Sequence, residues 1–205
     1  SGDGFSAVMA EAGKIHDGVL FRRTVALLGD DLLVFIDQIS ADKEHTFDLA
    51  YHNVGKLSAP PDAAPFEPPK KAGYSYLRET RMVSTGEGLN LTFDGEGGQA
   101  VRWAMAAGEP TSFITGTGVG AHTEDRVPVV IARRRANQTT YLWCVSLGQS
   151  ARPIELVSEA VKFADGRSPA ATDAAAVRVK LSGATHVILA NRSGGRVLVA
   201  GLEMA

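Results

Sequence analysis

The sequence predicts an all-β fold, an antiparallel multi-stranded β-sandwich, and three observations carry that expectation. Short runs of β-branched and aliphatic residues recur along the whole chain, separated by Gly, Asn, Asp and Pro at roughly regular intervals. No window holds a sustained helical apolar stripe with capping residues at its ends. Several runs alternate apolar with polar side chains, the period of a half-buried strand.

Taken in order, "RRTVALL" (22–28) and "LLVFIDQIS" (32–40) read as two strands joined by a tight hairpin at "GDD". A strand at 45–54 follows the turn-forming "ADKE". Further strands are expected at 74–83, 88–94, 99–106, 112–117, 127–135, 139–147, 154–163, 175–181, 185–190 and 195–203. Within these, "IARRRANQTTYLWCVSL" (131–147) reads as a hairpin turning at "ANQT", and the Ala-rich "SPAATDAAAV" (168–177) as a loop entering a strand. "SAPPDAAPFEPPKKAGY" (58–74) holds five of the nine prolines. Proline denies the ladder its donors, so this stretch is an excursion off the sheet rather than core strand. It is either an inter-domain linker or a wrapped loop beside a ligand surface. Similar strand patterns on both sides favour a single β-sandwich domain, 1–205, with the loop 58–73 inside it. The opening "SGDGFSAVMAEAG" lacks an initiator Met and reads as the start of an excised piece of a larger chain.

A net charge of −2 gives no basic balance for nucleic acid. Apolar runs such as "LLVFI" (32–36) fall far short of the ~20 residues that span a bilayer. Cys144 is the only cysteine, set between Trp143 and Val145, and reads as a buried, inert thiol. No His or Cys pair has zinc spacing, so neither a metal nor another cofactor is called for.

The stretch "HTFDLAYHNVGKL" (45–57) carries the main candidate residues. As a strand it sends Phe47, Leu49 and Tyr51 to one face and Thr46, Asp48, Ala50 and His52 to the other. Asp48 and His52 stand ~13 Å apart along the strand, too far to bond each other. They could contact successive units of an extended ligand, with Asn53 and Lys56 adding hydrogen-bonding groups; the alternative is a merely solvated face. His122 lies in the Gly-rich "GTGVGAHTEDR" (116–126), a flexible loop from which it could reach a ligand. Alternation places Arg133 and Arg135 on one face and Arg134 on the other. That pattern is either a charged sheet edge or a guanidinium pair that grips carboxylates or sulfates. Trp103 and Trp143 could stack on sugar rings, but both sit inside apolar alternation and read as core. His16, His45 and His186 read as satisfied or solvated. No nucleophile elbow, phosphate loop or dinucleotide fingerprint is present, so these residues alone make no self-contained active site.

The order of three segments resembles a known family. "GVLFRRTVALLGDDLLVFIDQISADKEHTFDLAYHNVGKL" (18–57) has a paired Arg opening a strand, a strand holding Asp37, then the His52 segment. "VPVVIARRRANQTTYLWCVSLG" (127–148) and "AVRVKLSGATHVILANRSGGRVLVAGLEM" (176–204) follow. Together they resemble the C-terminal β-sheet domain of heparinase II/III-like polysaccharide lyases, the group that includes oligoalginate lyases. The resemblance implies an acidic polysaccharide or oligosaccharide ligand, an N-terminal α/α toroid as partner domain, and β-elimination as the reaction of the whole enzyme. It implies a bacterial periplasmic or secreted location by analogy. The family's main proton-transfer groups come from the toroid and from a His-x-His-x-Asp-like segment that this chain does not contain. His52 is the one histidine that matches a family position. The expectation is therefore a lyase β-domain that contributes cleft wall and docking surface and is inactive alone. The alternative is a non-catalytic carbohydrate-binding, structural or oligomerisation module.

Overall fold

The structure, a computed structural model, describes residues 4–13, 16–148, 154–181, 183–200 and 202–204. In chain order its strands are β1 (Phe5–Glu11), β2 (Val19–Leu28), β3 (Leu32–His52), β4 (Lys56–Leu57), β5 (Ala64–Pro65), β6 (Arg78–Thr85), β7 (Leu89–Asp94) and β8 (Ala100–Met105). They continue as β9 (Thr111–Val119), β10 (Arg126–Gly148), β11 (Glu155–Glu159), β12 (Val161–Phe163), β13 (Ala174–Leu181), β14 (Ala184–Asn191), β15 (Val197–Val199) and β16 (Leu202–Met204). Every pairing among the described residues is antiparallel. The all-β sandwich expected from the sequence is the architecture observed, built from one ten-stranded sheet and two three-stranded sheets, β11-β13-β14 and β12-β15-β16.

Two strands are much longer than the sequence suggested. No hairpin turns at 136–139, and no turn at 41–44 ends a strand: β3 and β10 run through both places, paired side by side. The register passes from Ala136 opposite His45 to Gln138 opposite Ser40, so four residues of β3 face one of β10. Bulges and turns draw on the same polar residues, which is why "ADKE" and "ANQT" read as chain reversals.

The bulge sets which side chains turn inward. Inserting four residues keeps the alternation of β3 in phase, so Phe35, Ile39, Phe47, Leu49 and Tyr51 all face one way. A single extra residue reverses β10, whose inward set changes from Val130 and Ala132 to Tyr141, Trp143 and Val145. Beyond the bulge β10 pairs with β8, and before it with β9. The inward residues of both halves share one buried cluster with Trp103, Phe113 and Phe93, so the sheet folds over an aromatic core. Trp143 stacks on Phe35 with centroids 3.9 Å apart. Both tryptophans are core, as alternation implied.

Further layers cover the outer faces. Leu32, Val34, Ile36 and Cys144 pack against Val177, Val179 and Ile188 of the β11-β13-β14 sheet. That sheet's far side, through Ala174 and Ala176, meets Val161, Val197 and Val199. The expected strand 154–163 is broken at Ala160, its two parts going to different sheets, and 195–203 is the hairpin β15–β16. β1, which the sequence did not suggest as a strand, adds an edge to β2. The Pro-rich stretch stays off the sheet apart from the two-residue β5, where Pro65 sits on an outermost strand that can do without its donor. Phe66 and Tyr74 bring it down onto Ile114, Val129 and Ile131 on the outer face of the β9–β10 half.

Candidate functional site

The polar face of β3 forms the floor of a groove. Asp48, Ala50 and His52 line a 380 Å³ cavity together with Ile131, Gly118 and Val119; Gly73, Tyr74, Tyr76 and Leu77 form its other wall. Ala50 leaves room between the two ionisable side chains. The wall is a 3-10 turn, Tyr74–Tyr76, where the sequence had suggested the start of a strand. Glycine permits the close fit. A Cβ on Gly118 would come within 3.2 Å of His52 Cε1, and one on Gly116 within 2.7 Å of the Arg78 carbonyl oxygen.

Asp48 has a bound cation of its own. Directly opposite it in register, Arg133 donates from Nε and Nη2 to the two carboxylate oxygens, each at 2.8 Å. The Tyr74 hydroxyl, arriving from the loop, donates to the same carboxylate, and the Arg133 guanidinium lies 5.3 Å from the Tyr74 ring centroid. Hydrogen bonding to Asp48 holds Arg133 firmly protonated. Burial, and then the bond to Asp48, raises the Tyr74 phenol above its ordinary value, so at neutral pH Tyr74 is a donor and not a base. His52 is exposed on the groove floor, able to donate or accept.

The other sequence candidates lie elsewhere or are engaged. Asn53 donates to the Tyr51 hydroxyl at 3.1 Å and accepts the Val54 N–H at 2.8 Å. Tyr51 faces the aromatic core as alternation implied, and burial raises its phenol. Arg135 pairs with Glu44 at 2.6 Å near the bulge. The charged-edge reading does not hold at Arg133, where β10 has β3 on one side and β9 on the other; at Arg135 β10 is paired with β3 alone. Arg134, on the opposite face, is buried, bonded to Thr111, Thr139 and the Thr140 carbonyl and held 4.4 Å from the Tyr141 ring centroid. His122 is exposed on a loop closed by the Asp125 carboxylate, which accepts its backbone N–H at 3.1 Å; it does not line the groove.

A second cavity, of 750 Å³, opens between the two halves of the folded sheet, with Phe21, Arg23, Asp37, His45, His16 and Tyr141 among its lining. Here the Arg of the "FRR" run meets Asp37, both quoted above as markers. Arg23 Nε and Nη2 donate to Asp37 at 2.6 and 2.8 Å, and Trp143 Nε1 adds a third bond at 2.9 Å. Sequence reasoning missed Tyr74, Arg23 and Asp37 as partners in these two places. The only available signal was the "FRR…Asp37" order, whose meaning depends on register. Among the described residues, no group of three or more His, Cys, Asp or Glu is placed to hold a metal ion, and no helix is long and apolar enough to cross a membrane.

No protein-family model matches the sequence, and no curated protein matches it. Solved structures do match in fold. A heparinase III gene product aligns with a TM-score of 0.62 at 13% identity, over 92% of this chain and 26% of its own. A mutant of the heparan sulfate lyase HepC from Pedobacter heparinus aligns with a TM-score of 0.61 at 9% identity, over 93% and 26%. A further heparinase III structure gives 0.60 at 13%, over 93% and 26%. The chain thus has the fold of about a quarter of each of these lyases, and at such identities the likeness is one of backbone rather than of side chains.

Proposed function

We propose that this chain is the β-domain of a polysaccharide lyase that cleaves a uronate-containing anionic polysaccharide by β-elimination. In this reading it supplies one wall of the substrate cleft and a docking surface, and it is inactive alone. The observation that carries the proposal is the fold match, which takes in nearly all of this chain and about a quarter of each lyase.

β-Elimination needs a base to remove the proton next to the uronate carboxyl group, positive charge or hydrogen bonds to hold the developing negative charge, and an acid for the leaving oxygen. The groove offers binding groups for such a ligand: the His52 imidazole and the rings of Tyr74 and Tyr76. It offers no base–acid pair converging on one point, because Asp48 is tied to Arg133 and Tyr74. Proton transfer belongs to a partner domain, an N-terminal α/α toroid. β1 suits its docking: it is an edge strand, with Val8 63% and Met9 55% exposed beside Phe5. An exposed apolar edge of this kind is ordinarily covered.

The test uses the 205-residue protein with heparan sulfate, heparin and alginate oligosaccharides. Ultraviolet absorbance of the unsaturated uronate product and calorimetric binding are followed together. Binding without product, lost in His52→Ala, is the expected result. Product formed by this chain alone would overturn the division of labour, and absence of all binding would remove the cleft-wall role.

A further inference from the structure

Arginines on this side of the molecule divide into two kinds. Arg133 and Arg135 each sit on a carboxylate. Arg78 and Arg126 do not. Arg78 Nη1 donates to the carbonyls of Ser75 at 2.6 Å and Leu77 at 2.8 Å, and Arg126 Nη1 donates to the carbonyl of Tyr76 at 2.7 Å. Two exposed guanidiniums therefore converge on three consecutive carbonyls of the turn that walls the groove. Neither has a carboxylate within 4.0 Å among the described residues. The acids beside them in sequence do not neutralise them: Asp125 accepts the His122 N–H, and Glu79 is exposed. Arg81 behaves alike, donating to the Ala63 carbonyl on the Pro-rich loop.

Strand register places Arg126 opposite Val119 and Arg78 opposite Thr117, two residues along the same strand. Asp48 faces Arg133, His52 faces Val129, Gly118 faces Val127 and Val119 faces Arg126. The order along the floor is thus the closed Arg133–Asp48 pair, then His52, then Gly118, then the Arg126 end. Val129 and Arg126 are three residue steps apart, about 10 Å at the rise of a strand. Tyr76 and Leu77, whose carbonyls help hold the two arginines, also line the groove. The Tyr76 ring is exposed there, an apolar surface suited to a sugar ring.

We infer that Arg78 and Arg126 form an anion-recognising subsite at the far end of the Asp48–His52 groove, taking a carboxylate or sulfate group of an acidic glycan. Each guanidinium spends Nη1 on the turn and keeps its remaining N–H donors for the planar, two-point contact that arginine makes with oxyanions. The carbonyls hold the forks in place before the ligand arrives, which reduces the ordering cost of binding. This rests on the proposed cleft-wall reading, and it moves charge recognition from Arg133, whose charge Asp48 already answers, to a pair that the sequence did not single out.

Calorimetry on the 205-residue chain, with a sulfate-free oligouronate in one arm and a heparan sulfate oligosaccharide in the other, tests this. Arg78→Gln and Arg126→Gln should each weaken binding roughly tenfold and flatten its salt dependence, and the double variant should abolish it. Weakening in both arms assigns the subsite to carboxylates; weakening in the heparan sulfate arm alone assigns it to sulfates. Arg78→Lys and Arg126→Lys keep the charge and guard against misfolding; with the fork lost, they should bind with intermediate affinity. Arg135→Gln should bind like the parent. If both Gln variants bind normally while His52→Ala does not, the subsite is overturned and the groove reading stands. If the parent chain binds neither glycan, both fall together.

Discussion

The long strand β3 carries the acids of two Arg–Asp pairs of nearly the same geometry, and their surroundings make them different objects. Arg23 lies opposite Asp37 in the β2–β3 ladder, and Arg133 opposite Asp48 in the β10–β3 ladder; both pairs are bidentate. Asp37 is 0% exposed, points into the aromatic core and takes its third bond from the indole of Trp143. Asp48 keeps 17% of its side chain exposed and takes its third bond from a loop tyrosine. The first pair is locked by neighbours that cannot move without opening the core. The second is completed by a residue of a loop that lies on the outer face of the sheet. A carboxylate–guanidinium pair in a core fixes structure, whereas one under a loop can couple the loop to whatever enters beside it.

Asp37→Ala probes the larger side of this contrast. It leaves the Arg23 guanidinium among Phe21, Phe35 and Trp143, all about 5.5 Å away, and strips the indole N–H of its acceptor. Because Arg23 keeps 35% of its side chain exposed, the cost falls at the low end for breaking a buried pair from one side, about 3 kcal/mol. At this chain length that lowers Tm by roughly 6–12 °C, measurable by calorimetry. If Asp37→Ala unfolds with the parent's Tm, the two pairs are not distinct in kind.

Asp48→Asn is the matched change in the groove, and its effect should be smaller and more local. The amide keeps one acceptor for Arg133 or Tyr74 but not both charge-assisted bonds, at a cost of about 1–2 kcal/mol. Loosening of Tyr74 should show as faster proteolysis within 58–73 with only a modest fall in Tm. A loop that stays protected in this variant is held by Phe66 and its apolar contacts instead.

Alkali sharpens the contrast further. Burial pushes the Cys144 thiol up to about 12 and raises the phenols of Tyr51, Tyr74 and Tyr141. A raised folded value means that the neutral form is favoured in the native state. The stability this contributes is complete below the unfolded value and is lost as pH climbs from about 9 toward about 12. Tm should hold to pH 9 and then fall. In phenolate absorbance Tyr74→Phe should remove one of the steps that burial raises above the ordinary phenol value.

How much of this was legible depends on the range of the information. Period-2 alternation over 45–52 correctly separated Phe47, Leu49 and Tyr51 from Asp48 and His52, because a strand's faces are a local property. Arg133 and Asp48 both stand out in the sequence, but nothing local makes them partners. Their meeting is a register fact, set by a bulge that trades four residues for one. The same bulge hid the continuity of both long strands, since its residues are turn residues. Tyr74 was read as a strand residue because the 3-10 turn that aims it at Asp48 follows a proline segment with no periodicity. Nothing local marks Arg78 and Arg126, because their significance lies in lacking a carboxylate partner, which only three-dimensional neighbours can reveal.

The smallest effect belongs to a third pair on the same strand, and it calibrates the other two. Arg135 bonds Glu44 at 2.6 Å, as short as the Arg23–Asp37 contact, yet Arg135 is 77% and Glu44 54% exposed. Water solvates both charges whether or not they meet, and holding two long side chains together costs entropy, so exposed pairs contribute about 0–1 kcal/mol. Arg135→Gln should therefore shift Tm by no more than about 4 °C, and the shift should vanish in high salt because exposed charges are screened. Asp37→Ala should keep most of its effect in the same salt. If salt erases both, the distance between charges governs these pairs rather than the burial around them, and the distinction between core lock and groove latch fails.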